Sequence, residues 1–180
     1  LDRALRLSRT GHIPSKQAER WEDEAVAIRA FVDEHCWSES VGSFVRSAGS
    51  DDLDASVLLG VLFRYSEPRD PKLLATVEAI RQTLSHGPFV YRYSGEDGLE
   101  GEEGAFLTCS FWLAEALAIQ GRHAEASVLM AELIDLGNDV GLFAEEVDPT
   151  DRSFLGNLPQ GLTHLALIHA ALAFPRENAT

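Results

Sequence analysis

Two adjacent carboxylates stand out in the segment NDVGLFAEEVDPTDRSFLGNLPQG. Glu145 and Glu146 follow the apolar residues Val140, Leu142 and Phe143 and precede Asp148, Pro149 and a turn. A carboxylate in a partly apolar loop can serve as a general base, provided it stays ionised near neutral pH. Such a pair can equally be solvated or cap a neighbouring helix. Upstream, Arg92 stands between Tyr91 and Tyr93. Its guanidinium is a rigid fork able to hold two neighbouring oxygens. It can also simply offset the local acids Glu96, Asp97, Glu100, Glu102 and Glu103. Glu102 and Glu103 precede an apolar run beginning near Gly104, where the dipole of a helix favours acids in its first turn.

Other chemistries find no support. His164 and His169 are five residues apart, which misses the i, i+4 geometry of a helical metal pair and favours buried, hydrogen-bonded roles. Cys36 and Cys109 have no CxxC spacing and read as reduced core residues, a weak pointer to the cytoplasm. No HExxH, P-loop, GxGxxG or GxSxG occurs, and neither a metal nor a cofactor is implied. The 15 basic residues against 29 acidic ones give a formal charge of −14, which opposes binding to nucleic acid or to an anionic membrane. No apolar run approaches the about 18 residues of a membrane span. The 45% apolar content is ample for a folded core.

The elements that must position these residues are helices. Trp21, Ala25, Ile28, Val32 and His35 repeat at steps of three and four, predicting an amphipathic helix with one buried face. Leu73, Val77, Ile80 and Leu84 form a second stripe, with Asp70 as N-cap and Pro71 at the first helical position. A third follows Gly121, with Ala126, Leu129, Leu133 and Leu136 on its apolar side. Segments 53–63, 106–119 and 162–174 are apolar on nearly every face, and a helix of that kind must be wrapped by protein on all sides. A wholly apolar helix followed by a turn and an amphipathic one occurs twice. That order predicts an all-α chain of hairpins in two concentric layers, an α/α toroid, rather than a solenoid of uniformly amphipathic pairs. The long connections 38–52, 86–104 and 137–160 lie where the inner helices begin, and binding groups are expected there. The opening residues LDRALRLSRTGHIP read as the tail of a helix already under way.

Four motifs in order carry a resemblance. GSDDLDASVLL at 49–59, YRYSGEDGL at 91–99, EGAFLTCSFWLAEALAIQGRHAEA and GLFAEEVDPTDRSFLGNLPQGLTHLALIHAAL together resemble the C-terminal half of the glucoamylase-type glycoside hydrolases, family 15. The resemblance implies that residues 1–180 are the C-terminal part of a six-hairpin α/α toroid, a partial toroid whose loops at one end form a pocket for an α-glucoside. It implies an inverting mechanism, which needs two carboxyl groups about 6.5–9.5 Å apart with a water between base and sugar. The matching position makes Glu145 the general base and Glu146 a supporting polar residue. Arg92 matches an arginine that holds sugar hydroxyls, Glu103 in EGAF lies near the pocket, and Tyr91 and Tyr93 could present apolar faces to sugar C–H groups. Trp112, inside a wholly apolar helix, is better explained by core packing. His164 and Gln160, near the start of the last inner helix, could face the pocket.

The family's general acid precedes this region, so a fragment bearing the base alone is expected to be incomplete and inactive. The resemblance implies a hydrolase for malto-oligosaccharides or similar α-glucosides, with trehalose as the alternative substrate within the same family. A non-catalytic toroid module used in binding or regulation is the rival of another class. The fully apolar helices require cover, either from the N-terminal half of the same domain or from a partner chain.

Overall fold

The structure, a computed structural model, describes residues 1–93 and 104–175. Helix α1 (Asp2–Arg9) packs on α2 (Ala18–His35), and a short antiparallel hairpin of β1 (Trp37–Ser38) and β2 (Ser43–Phe44) follows. A 3-10 turn over Ala55–Leu58 runs into α3 (Leu59–Leu62), and α4 (Pro71–Leu84) leads into the next hairpin, β3 (Ser85–His86) with β4 (Phe89–Val90). Strand β5 (Ala105–Phe106) leads directly into α5 (Leu107–Ile119), and α6 (His123–Ile134) follows it. Strands β6 (Glu146–Val147) and β7 (Phe154–Leu155) complete a three-stranded sheet in the order β5, β6, β7 before α7 (Gly161–Ala173).

The amphipathic helices form for the reasons their sequences supply. Asp70 accepts a hydrogen bond from the Lys72 amide at 2.8 Å, and Pro71 opens α4, whose Leu73, Val77, Ile80 and Leu84 are all buried. Helix α6 buries Ala126, Met130 and Leu133. It follows Gly121, whose φ of +80° lets the chain reverse at the end of α5. Helix α5 is the spine. Residues 107–111 and 113–118 are buried, as an all-round apolar helix requires. It contributes Leu113 and Leu117 to one core cluster, with Leu58, Val61, Leu73, Val77 and Ile80. On its other side Leu107 and Phe111 join Phe89, Leu133, Phe143 and Val147.

Three expectations need correction. Segment 53–63 is helical only over 55–62. Its start is taken by extended backbone, because Asp54 pairs with Tyr93 in a β-bridge, and its end by Arg64 in the left-handed conformation at φ 59°. Helix α2 has no buried residue, and Val26, Ile28 and Phe31 are exposed. Helix α7 buries only Thr163, Ala166 and Ala170, while Leu162, Leu165, Ile168 and Leu172 are more than half exposed. Both helices are packed on one side only among the described residues. The cysteines are unpaired, with Cys109 buried and Cys36 half-buried. No helix among the described residues is long and apolar enough to cross a membrane.

The short strands gather the starts of the inner helices at one end. Asp54, before α3, bridges to Tyr93, and the Ala55 amide donates to the Arg92 carbonyl. Thr108 on α5 and Thr163 on α7 place their hydroxyls 3.3 Å apart, so these two helices begin side by side.

Candidate active site

Glu145 sits at the junction of α5 and α7. Its carbonyl accepts from the Leu107 amide at 3.1 Å, where α5 begins, and its own amide donates to the Asn157 carbonyl at 3.0 Å. The residue before it, Ala144, is fully buried and accepts from the Thr163 hydroxyl at 3.0 Å. Phe143 is wedged edge-on against Phe111 of α5 and the His164 ring of α7. The backbone bearing Glu145 is therefore fixed from both helices. The apolar residues that precede it in sequence are the wedge that does this.

The carboxylate is held as well as its backbone. Oε2 accepts from the side-chain amide of Asn157 at 2.8 Å and from the Asn157 backbone N–H at 3.2 Å. Gly156, at φ +69°, lies so close that a Cβ there would stand 3.0 Å from Oε2 and 3.1 Å from the Glu145 Cβ. Among the described residues no donor reaches Oε1, and Glu145 is half-buried beside the exposed residues Gly156 and Asn157. Among the described residues one oxygen is thus anchored and the other accepts no hydrogen bond.

Glu146 has a different placement. Consecutive residues of an extended segment project to opposite faces, and Glu146 Oε2 accepts from the Gly104 amide at 2.9 Å, on the β5 side. A Cβ at Gly104 would stand 2.9 Å from the Val147 carbonyl oxygen and 3.0 Å from Glu146 Oε2, so the glycine is what allows this approach. Glu146 ties the sheet to the start of α5 and does not share the Asn157 anchor of Glu145.

Arg92 is exposed, with its guanidinium above the rings of Tyr93 and Phe106 at 5.6 and 6.0 Å. Phe106 precedes the residue whose amide binds the Glu145 carbonyl, so Arg92 and Glu145 adjoin the same step at the start of α5. Tyr91 is half-buried against the cluster of Phe89, Leu107 and Phe111. Trp112 is half-buried between both core clusters, as packing predicts. Glu103 lies outside the described residues. His164 is half-buried. Its Nε2 accepts from the Phe143 amide at 3.4 Å, so its Nδ1 carries the proton donated to the Gln160 carbonyl at 2.7 Å. It is a structural histidine of the kind its spacing suggests. His169 is exposed.

Cys109, on α5, lies within electrostatic reach of Asp54 and Arg92, but burial pushes its thiol up to about 12 and the charge of Asp54 adds to this. Among the described residues no group of three or more His, Cys, Asp or Glu side chains is arranged to hold a metal ion.

Sequence reasoning did not single out Asn157, Gly156 or Asp54. A Gly-Asn pair directly after a short apolar strand is a signal for a left-handed residue beside a polar anchor, and it stands in the sequence as LGN. Asp54, which is buried and accepts from the Ser56 amide at 2.8 Å, is legible as a cap before a helical start.

Comparison with known proteins bears on the chain as a whole, with the family model ending before Glu145. The family model for glycosyl hydrolases family 15 matches residues 1–135. A trehalase of Mycobacterium tuberculosis is 42% identical over 176 residues, covering 96% of this chain and 25% of that protein. A trehalase of Thermoplasma volcanium is 35% identical over 159 residues, covering 88% of this chain and 25% of that protein. Among solved structures a wild-type glycosidase superposes with a TM-score of 0.76 at 22% identity, over 90% of this chain and 47% of that one. A glycosidase E335A variant in complex with glucose gives the same TM-score at 21% identity. These structural likenesses establish the fold, an all-α partial toroid. The chain spans about a quarter of the length of the trehalases it matches. With three quarters of its residues under the family model and trehalase relatives aligned across nearly all of it, the chain belongs to glycosyl hydrolases family 15.

Proposed function

We propose that this chain is the base-bearing part of an inverting α-glucosidase and that its substrate is trehalose, the alternative within the family, rather than malto-oligosaccharides. The observation that carries the catalytic reading is the anchoring of Glu145 through one oxygen at the junction of two inner helices, with the second oxygen left open. The relatives support the choice of sugar, since those aligned across nearly the whole chain are named trehalases.

In this reading Oε1 of Glu145 takes a proton from a water as the water oxygen bonds to the anomeric carbon. The bond from that carbon to the glycosidic oxygen breaks on the opposite face. The departing oxygen receives its proton from a second carboxylic acid outside this chain. Arg92, at the rim of the same helix start, holds vicinal sugar hydroxyls with its fork. Trehalose joins two glucoses by their α-anomeric carbons, so inversion at one centre releases one β-glucose and one α-glucose. Retention would release α-glucose alone.

The exposed faces of α2 and α7 fit the same reading. Leu162, Leu165, Ile168 and Leu172 line α7, and Val26, Ile28 and Phe31 are exposed on α2. The remaining helices of the same catalytic domain are the cover we assign to them, since an apolar surface of this kind is costly to leave in water. Sedimentation of residues 1–180 alone is then expected to show self-association, and a monodisperse monomer would count against this cover.

Proton NMR of the complete catalytic domain acting on trehalose and on maltose tests the whole reading. The expected result is faster turnover of trehalose, equal initial amounts of the two glucose anomers, and a loss of several orders of magnitude in Glu145→Gln. Full activity in that variant would remove Glu145 as base. No turnover of either sugar by the wild type would favour the binding-module reading.

A further inference from the structure

We infer that Asn157 is the positioning residue of the base: its two N–H donors converge on Oε2 of Glu145 and thereby fix Oε1 as the atom that accepts the proton. The inference rests on the reading of Glu145 as the base given above.

The geometry is reciprocal. The Glu145 amide donates to the Asn157 carbonyl at 3.0 Å, while the Asn157 amide and side chain return donors to Oε2 at 3.2 and 2.8 Å. Three hydrogen bonds between two residues leave the carboxylate little freedom to rotate about its final torsion. An ionised carboxylate only accepts, so the side-chain amide of Asn157 must present its nitrogen, and the orientation of that amide is settled by its partner. A neutral amide also suits the task chemically. It donates without giving up its proton, so it orients the base without competing for the proton the base must take.

The neighbours of Asn157 serve this contact. Gly156 adopts φ +69° and leaves no side chain where a Cβ would meet Glu145. On the other side the Gln160 amide donates to the Phe143 carbonyl at 2.9 Å, and the Gln160 side chain caps α7 by accepting from the Leu162 amide at 3.3 Å. Asn157 therefore belongs to a segment fastened both to the base-bearing strand and to a helix start. It is itself exposed, so it contributes contact to the carboxylate rather than to the core.

The test is a ranking of two variants in the complete catalytic domain with trehalose as substrate. Asn157→Ala removes the side-chain donor and keeps the backbone donor. Asn157→Asp keeps the shape but sets an acceptor against an acceptor. If Asn157 acts by donation, kcat falls about 10- to 100-fold in the alanine variant and further in the aspartate variant. KM stays within about twofold and the melting temperature moves little in both. If Asn157 is only a structural residue, the near-isosteric aspartate is the better tolerated of the two. That order, or an unchanged kcat in Asn157→Ala, overturns the inference. Glu145→Gln measured alongside separates the two claims. An inactive Glu145→Gln beside a fully active Asn157→Ala removes only the role of Asn157, whereas an active Glu145→Gln removes the base itself.

Discussion

Gly156→Ala is the substitution whose consequence is most fully set by the structure. Two costs arise. The first is conformational, because a residue with a Cβ at φ +69° pays about 1–2 kcal/mol for the left-handed backbone. The second is contact. The new methyl would stand 3.0 Å from Oε2, 3.1 Å from Cβ and 3.5 Å from Cδ of Glu145, against an ordinary carbon–carbon separation of about 3.5–4.0 Å. The carboxylate oxygen alone could swing away. The Glu145 Cβ cannot do so readily, because its backbone is bonded to Leu107 on one side and Asn157 on the other. Glu145, the proposed base, must therefore shift by about 0.5 Å, and since a misplacement of about 1 Å costs about 100-fold, about tenfold in kcat is expected. Gly121→Ala is the matched control. Its φ of +80° imposes the same kind of backbone cost, but nothing lies within 4 Å of its Cβ and it sits at the far end of α5. Initial rates of glucose release from trehalose, read beside thermal unfolding of the complete domain, separate the two costs. Both variants are expected to melt lower, and only Gly156→Ala to lose kcat. A wild-type kcat in Gly156→Ala, or an equal loss in both variants, refutes the reasoning.

Three further outcomes follow from the same geometry. Arg92→Lys, which keeps the charge and loses the fork, is expected to lower kcat/KM for trehalose by about 10-fold or more, with most of the change in KM. Phe111→Ala, in a fully buried position between α5 and Phe143, is expected to cost about 3–5 kcal/mol in denaturant unfolding. Glu125 is held at about 2, first by its hydrogen bond with Arg122 and then by that with Arg81. A carboxylate depressed in the folded state adds stability that is present above its unfolded value and lost as pH falls. Acid unfolding monitored between about pH 4.5 and 2 should therefore be less steep in Glu125→Gln, by a small amount because the pair is largely exposed.

Much of the scaffold was legible because its signals are local. Asp70 and Pro71 announce α4 through a cap and a missing N–H, and the unbroken apolar run of α5 announces a helix wrapped on every side. What was not legible depends on pairing between distant segments. The run 53–63 has the composition of a full helix, yet its first residues pair with Tyr93, about forty residues on, and a β-bridge cannot be read from one strand's sequence. The exposure of Leu162, Leu165, Ile168 and Leu172 has the same origin. Their apolarity reports a burial for which the described residues supply no second surface.

The site divides along the same line. Glu145 was accessible to sequence reasoning because its residue type, its apolar lead-in and the family pattern coincide at one position. Asn157 was not, because its significance lies in a register: β6 against β7 pairs Glu146 with Leu155 and Val147 with Phe154, and continuing that ladder by one step sets Glu145 beside Gly156. A two-residue strand is too short for alternation to reveal that register, so neither partner's sequence contains it. The helices, which dominate the chain, act on Glu145 only through their ends. Thr163 of α7 holds Ala144, Leu107 of α5 holds the Glu145 carbonyl, and the strands between them set the direction of the carboxylate. A small error in strand register would move the carboxylate while leaving the helical core intact. The ranking of Asn157 and Gly156 variants by kcat rather than by stability is therefore what tests whether this short sheet, and not the toroid around it, fixes the chemistry.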